Sequence, residues 1–238
     1  MKDFFSDVPG LELVEFGLLH ISLILIIILG SVLIYIYRDK LRNYKHEKRV
    51  RYAMASFALL FEFSLYAWKI GNGIWTWEDG LPIGVCGLTL YLAIIAMYTK
   101  KFSIFEIGIF WSFGAVASVM FPDTPYSVDR FRFYQYMFGH MFFFLMYIYM
   151  IFVLEFVPTF KSFKKSYIVM FITAVTLLLI NLILNTNFFY LVESDGTPFE
   201  IFEGNGQRLY LIGIYITVSL LMSIWYLPFY VYNKKHKV

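Results

Sequence analysis

Seven apolar runs dominate the chain, near residues 14–37, 52–69, 82–99, 103–121, 134–156, 167–186 and 209–231. Each is long enough for a helix to cross a bilayer core of about 30 Å, which takes roughly 20 residues at 1.5 Å apiece. Runs of this length leave one economical solution, because a backbone in lipid must satisfy its own hydrogen bonds and a helix does so locally. The 238 residues are 60% hydrophobic and 21% aromatic, with a mean hydropathy of +0.66. The expected fold is therefore all-α, a single bundle of seven transmembrane helices spanning residues 1–238 as one domain. No repeat, low-complexity tract or Gly/Ser/Pro linker divides it. A net charge of +3 gives no reason to expect a nucleic-acid partner, and a single cysteine excludes an internal disulfide.

Charge orients the bundle. Fifteen of the 20 Lys and Arg residues fall in RDKLRNYKHEKRVR, TKK, KSFKK and KKHK, connections that alternate along the chain and share one side. Lys2, Arg130, Arg132 and Arg208 fall on the other, with Lys69 at its membrane edge. The excess of basic loops predicts an outside N-terminus and a cytoplasmic C-terminus, the parity of seven spans. The first run reads as a retained span rather than a cleaved signal, since acidic residues precede it and basic ones follow. ESDGTPFEIFEGNGQR, the longest outer connection, reads as an irregular lid at headgroup level.

Ionisable groups inside lipid are costly, so each one asks for a reason. Glu62 lies in the middle of the second run, with Lys69 seven residues on along the same face. His140 stands about two turns inside the outer end of the fifth, and Asn181 and Asn185 share a face near the outer end of the sixth. Glu106 is within snorkelling reach of Lys100 or Lys101. By this topology Cys86, His140, Asn181, Asn185 and Lys69 occupy the outer third of the membrane, with Asp123, Arg130 and Arg132 just above. Arg132, Tyr136 and His140 recur at helical spacing and form one stripe. The cluster predicts a polar cavity open to the outer leaflet. Packing and helix–helix hydrogen bonding are the competing readings for each residue taken singly.

Cys86 sits in LPIGVCGLTL, four residues after Pro82 and between Gly84 and Gly87. Proline suits a first helical position, which would put the thiol near free backbone N–H groups and the positive end of a helix dipole. That environment favours a thiolate and a developing oxyanion. A guanidinium at headgroup level matches phosphate or carboxylate, which makes Arg132, with Arg130, a candidate lipid-binding group.

LPIGVC, FEIGIFWSFG, FPD, FRFYQYMFGH, NTNFFYL and the closing YLPF, in this order and spacing, resemble the YwaF-type bacterial integral membrane family. The animal relative of that family is the transmembrane protein 164 acyltransferase. The resemblance implies a seven-helix protein of the cell membrane, here a bacterial plasma membrane. It also implies acyl transfer between phospholipids, with Cys86 carrying the acyl group and His140 assisting. Relatives often have a histidine two residues before the cysteine, where this chain has Gly84.

The expected function is a membrane lipid acyltransferase or transacylase that uses no acyl-CoA, no metal and no other cofactor. Its partners are membrane phospholipids. Glu62, Lys69, Asn181 and Asn185 are counted with Arg130 and Arg132 as substrate-binding candidates. A lipid hydrolase with the same Cys–His pair is the first alternative, and a transporter or small-molecule-binding membrane protein the second. His20, His46, His140 and His236 are scattered, so no ligand-spaced metal pair exists.

Overall fold

The computed structural model describes residues 3–194, 196–204 and 206–236; Lys2 and Lys237, both part of the charge count above, lie outside them. Described residues form helices and turns with no strand. In chain order the helices are α1 (Leu18–Ile36), α2 (Arg38–Arg42), α3 (Glu47–Gly71), α4 (Trp77–Gly80) and α5 (Val85–Thr99). Then follow α6 (Phe102–Gly108), α7 (Phe113–Met120), α8 (Phe131–Phe152), α9 (Phe160–Leu184) and α10 (Gln207–His236).

Six helical units are long and apolar enough to cross a membrane: α1, α3, α6 with α7, α8, α9 and α10. α5 has 15 residues, about 22 Å at 1.5 Å per residue, which is shorter than a hydrocarbon core. Successive units run up and down. Hydrogen bonds at the two ends fix this alternation: His20 reaches Val119 at one end, while Arg51 reaches Met97 and Arg42 reaches Phe152 at the other.

The packing is inverted relative to a water-soluble bundle. Leu25, Ile28 and Leu29 of α1, Phe171, Leu182 and Ile183 of α9, and Leu220, Ile224 and Val231 of α10 are all exposed. Apolar surface on this scale is what a lipid-facing perimeter presents. α8 is the central helix, packed against α1, α3, α5 and α7. Its inner face carries Met137, Met141, Met146, Tyr147 and Met150, all buried.

The fourth apolar run is not one continuous helix. It breaks at residues 109–112 between α6 and α7, and the carbonyls released there find donors on other helices. Ser166 Oγ of α9 donates to Ile107 O at 2.6 Å, and Trp225 Nε1 of α10 donates to Ile109 O at 3.2 Å. Such a break survives in lipid only where neighbouring helices re-satisfy the backbone. The break also fastens α9 and α10 to the core.

α9 begins at Phe160, seven residues before the expected start at 167. Thr159 and Ser162 form a reciprocal capping box, which starts the helix inside a polar stretch that hydropathy reads as loop. Lys165 reaches back to Glu106 at 2.5 Å; Glu106 was expected to pair with Lys100 or Lys101, and α9 supplies its partner instead. The connection between α9 and α10 does not stand alone: Phe202, in the 3-10 turn Pro198–Phe202, packs on Gly213 of α10 where a side chain would collide with its ring.

Candidate active site

Residues 81–84 fold into a turn and α5 starts at Val85, with Gly84 as its N-cap at φ −64 and ψ 160. Pro82 therefore lies before the helix, not at its first position. The turn folds back so closely that a Cβ at Gly87 would sit 3.0 Å from the Pro82 carbonyl oxygen, so glycine is what lets the turn close over the first helical residues. Leu88 N–H is the first to bond within the helix, to Gly84 O at 2.9 Å. The amides of Val85, Cys86 and Gly87 thus have no intrahelical acceptor, and no side chain caps them. Cys86 is the second residue of α5.

A cavity of about 140 Å³ lies between α3, α5 and α8. α3 contributes Glu62, α5 contributes Cys86, and α8 contributes Arg132, Gln135 and His140. The remaining walls are largely apolar, with Phe61, Leu65, Leu90, Phe142 and Phe143 among them. The volume is close to that of a cavity that accommodates a benzene ring. It has room for an ester group and a few methylenes, not for a whole lipid.

α8 sets the geometry of the polar groups. His140 Nδ1 lies 2.7 Å from Tyr136 O. A carbonyl only accepts, so Nδ1 carries the proton, and in the neutral ring Nε2 is left with its lone pair. The Tyr136 ring stacks at a tilt on the imidazole with centroids 4.5 Å apart. Arg132 donates to Gln135 Oε1 and sits over the Tyr136 ring at 5.2 Å. Glu62 lies within electrostatic reach of Arg132 and beside Tyr66, which in turn neighbours Tyr91 of α5.

Above the thiol, Cys86 Sγ approaches Ser118 Oγ of α7 at 3.8 Å. Tyr136 Oη accepts the Asp123 N–H at 3.2 Å, and Tyr190 Oη donates to Asp123 Oδ2 at 3.1 Å. Burial and the adjacent Asp123 carboxylate hold the Tyr190 phenol well above its usual range, so it remains a donor.

Four expected site residues therefore meet in the cavity: Cys86, His140, Arg132 and Glu62. The other four lie elsewhere. Arg130 pairs with Asp129 at 2.6 Å and donates to Val8 O at 2.8 Å. Asn181 turns inward on its own chain: Nδ2 donates to Phe188 O at 2.9 Å, and Oδ1 accepts from Thr186 Oγ1 and Phe188 N–H. Asn185 is the left-handed cap of α9 at φ 52 and is exposed. Lys69 stands in the last turn of α3, beyond the cavity wall. α9 packs on α6 and on the 3-10 turn Phe188–Tyr190, away from the α5–α8 seam, so neither asparagine reaches the imidazole.

Sequence reasoning passed over His20 and Ser118. His20 is fully buried; Nδ1 accepts the Phe16 N–H at 2.9 Å and Nε2 donates to Val119 O at 2.7 Å, tying α1 to α7. Its signal was an imidazole near the start of a helix made mostly of Leu and Ile. Ser118 offers no such signal, being one more small residue in GAVASVM.

Helices that turn apolar side chains outward and gather polar groups around a small chamber define a multi-pass membrane protein. The chain belongs to the TMEM164 family, whose family model matches residues 15–226. No curated protein matches the chain, and no solved structure does.

Proposed function

We propose that this protein is a lipid acyltransferase working as a transacylase at the outer leaflet, with Cys86 as nucleophile and His140 as general base. One observation carries the reading. The chain's only thiol and an imidazole with an available Nε2 line the same intramembrane cavity, and the thiol stands on an uncapped helix N-terminus. Nε2 takes the thiol proton, and the sulfur attacks the carbonyl carbon of a phospholipid ester. The tetrahedral oxyanion lies against the free amides at the start of α5. Its collapse breaks the ester C–O bond, and the imidazolium returns the proton to the departing lysolipid oxygen. An acceptor hydroxyl then gives its proton to Nε2 and attacks the thioester; the C–S bond breaks, and the imidazolium returns the proton to the sulfur, restoring the thiol.

In this reading α5 completes a seventh crossing, the basic loops face the cytoplasm, and the membrane is a bacterial plasma membrane. An outer-leaflet site has no acyl-CoA, so the donor is itself a phospholipid. Phe61, Phe142 and Phe143 favour transfer over hydrolysis, because an apolar lining limits water at the thioester. Arg132 meets the lipid phosphate from the cavity mouth, a role that unchanged lipid binding in Arg132→Gln would remove. The central experiment incubates the purified protein with a phospholipid bearing a labelled acyl chain and traps the intermediate in acid. A hydroxylamine-sensitive label on wild type that is absent from Cys86→Ala is expected. Full transfer activity in Cys86→Ala would end the proposal.

A further inference from the structure

Resting on that reading, we infer that the acyl chain of a membrane phospholipid enters the cavity sideways, through the seam between α3 and α8, where Phe61 faces the bare backbone of Gly139.

The cavity is graded along its length. α8 carries Arg132 and Gln135 near its start and Phe142 and Phe143 deeper, and the stretch from Arg132 to Phe143 covers about 16 Å at 1.5 Å per residue. On α5, Leu90 lies one turn deeper than Cys86. α3 runs the opposite way, so Ala58 lies one turn deeper than Glu62. Polar groups therefore line one end and hydrocarbon the other, which suits an ester followed by the first methylenes of its chain. The headgroup and the rest of the chain have no room inside, so a lipid that reacts here must reach in from the perimeter.

At the α3–α8 seam the wall is thin. Phe61 and Phe142 line the cavity. Phe57, 52% exposed, stacks on Phe61 with centroids 5.6 Å apart and meets Phe142 edge-on at 4.9 Å. These rings separate the chamber from the outer face of α3. One turn beyond Phe61, Ser64 lines a groove of about 570 Å³ that α3 shares with Phe5 and Phe131. A lipid whose chain crosses the seam keeps its remaining bulk in that groove.

Gly139 supplies the space for the crossing. It is the one glycine of α8, and glycine weakens a helix relative to alanine. Packing explains the choice at Gly108 and Gly213, where an added Cβ would overlap Tyr147 or Phe202. It does not explain Gly139. The nearest atoms to a Cβ there are on the Phe61 ring, at 3.7 and 3.9 Å, which is ordinary contact. Alanine would fit the resting structure, so the space is kept for something other than the protein's own side chains. Lipid hydrocarbon surrounds the helix pair and matches the apolar lining.

The test uses full-length protein in lipid nanodiscs doped with a phosphatidylglycerol that carries a diazirine midway along one acyl chain. After irradiation, labelled residues are mapped by mass spectrometry. Wild type should carry label on Leu90 and Phe143, which are buried in the cavity wall, and on Leu60 and Phe63, which are exposed on the perimeter. Gly139→Leu fills the passage and should cut the cavity labelling about tenfold, with the perimeter labelling unchanged as the reference. Gly139→Ala, which fits without collision, should cut it about threefold and decides the matter if the leucine variant does not fold. Phe61→Ala removes the ring and should raise it. Label confined to the perimeter of wild type would overturn the inference, as would cavity labelling that neither Gly139 variant changes or that Phe61→Ala lowers. Capture of a chain needs no thiol chemistry. Cavity labelling together with full transfer in Cys86→Ala would spare this inference while removing the proposed function. A thioester trapped on wild type with label on the perimeter alone would do the reverse.

Discussion

Gly108 closes α6 at a point where a side chain has no room: a Cβ there would overlap the Tyr147 hydroxyl, and it would lie 3.2 Å from Leu92 Cβ. That hydroxyl donates to Thr89 O at 2.9 Å. The bond ties α8 to α5 one turn below Cys86, so it sets the register of thiol and imidazole. On helix propensity alone Gly108→Ala would stabilise the protein by up to about 1 kcal/mol. The structure predicts the opposite sign. Displacing the ring costs about 1–3 kcal/mol of overpacking, and the lost buried hydrogen bond adds about 1 kcal/mol, for a net loss of roughly 2–3 kcal/mol. Tyr147→Phe alone should cost about 1 kcal/mol, because Thr89 O keeps a place in its own helix. In the double variant the methyl takes the volume of the missing hydroxyl, and the ring carbon at 2.9 Å and Leu92 Cβ at 3.2 Å must give way. Its loss should fall short of the sum of the singles by about 1–2 kcal/mol. Denaturant titration in bicelles measures all three. Additivity within about 0.5 kcal/mol would show that the hydroxyl does not fill the glycine's empty space, and the argument about register would fail with it.

Three further outcomes are expected. Lys45→Cys in a Cys86→Ala background should resist impermeant maleimide added outside intact cells; external labelling there would reverse the orientation. Gly84→His should fold with a stability change under about 0.5 kcal/mol, since nothing lies within 4 Å of a Cβ there and the backbone at φ −64 suits any residue; a loss of several times that size would contradict the open space. Glu203 accepts the Ser194 N–H at 2.6 Å, and the Ser194 hydrogen bonds hold its carboxyl below the usual range. A carboxylate depressed by folding contributes above its unfolded value and loses that contribution as pH falls through the folded one. Protection of the Ser194 amide, corrected for intrinsic exchange, should therefore fall only at a pH below the ordinary glutamate range, and protection that outlasts protonation of the Glu203 carboxyl would exclude the bond.

Hydropathy made the long helices legible because lipid-facing residues must be apolar whatever they pack against. It was blind where structure is settled by partners distant in sequence. The α6–α7 break depends on Ser166 and Trp225, and the early start of α9 depends on a capping box in a lysine-rich stretch. The site divided along the same line. Cys86, His140 and Glu62 were visible as polar groups inside apolar runs and Arg132 as a guanidinium just above them, and Cys86 and His140 could be placed at one depth by counting turns. Asn181 and Asn185 passed the same test, yet they are spent on ending α9. Counting turns gives depth but not azimuth, and only azimuth distinguishes a group facing the cavity from one folded back on its own helix. Ser118 carried no penalty to notice.

Every long-range hydrogen bond made by residues 4–8 of the segment ahead of α1 is accepted by a backbone oxygen. Phe4 O accepts the Phe131 N–H at 2.7 Å, Phe5 O accepts Trp68 Nε1 at 2.8 Å and Asn72 Nδ2 at 2.9 Å, and Asp7 O accepts Tyr126 Oη at 2.8 Å. Contacts made by carbonyls are indifferent to side-chain identity, whereas the Phe4 and Phe5 rings, which lie against Phe131, are not. The carbonyl contacts also impose an order in time. The Asp7–Tyr126 and Val8–Arg130 bonds join residues 119 and 122 positions apart, so this end of the bundle cannot close until α8 has been made and inserted. During synthesis the first helices wait with that end unlatched.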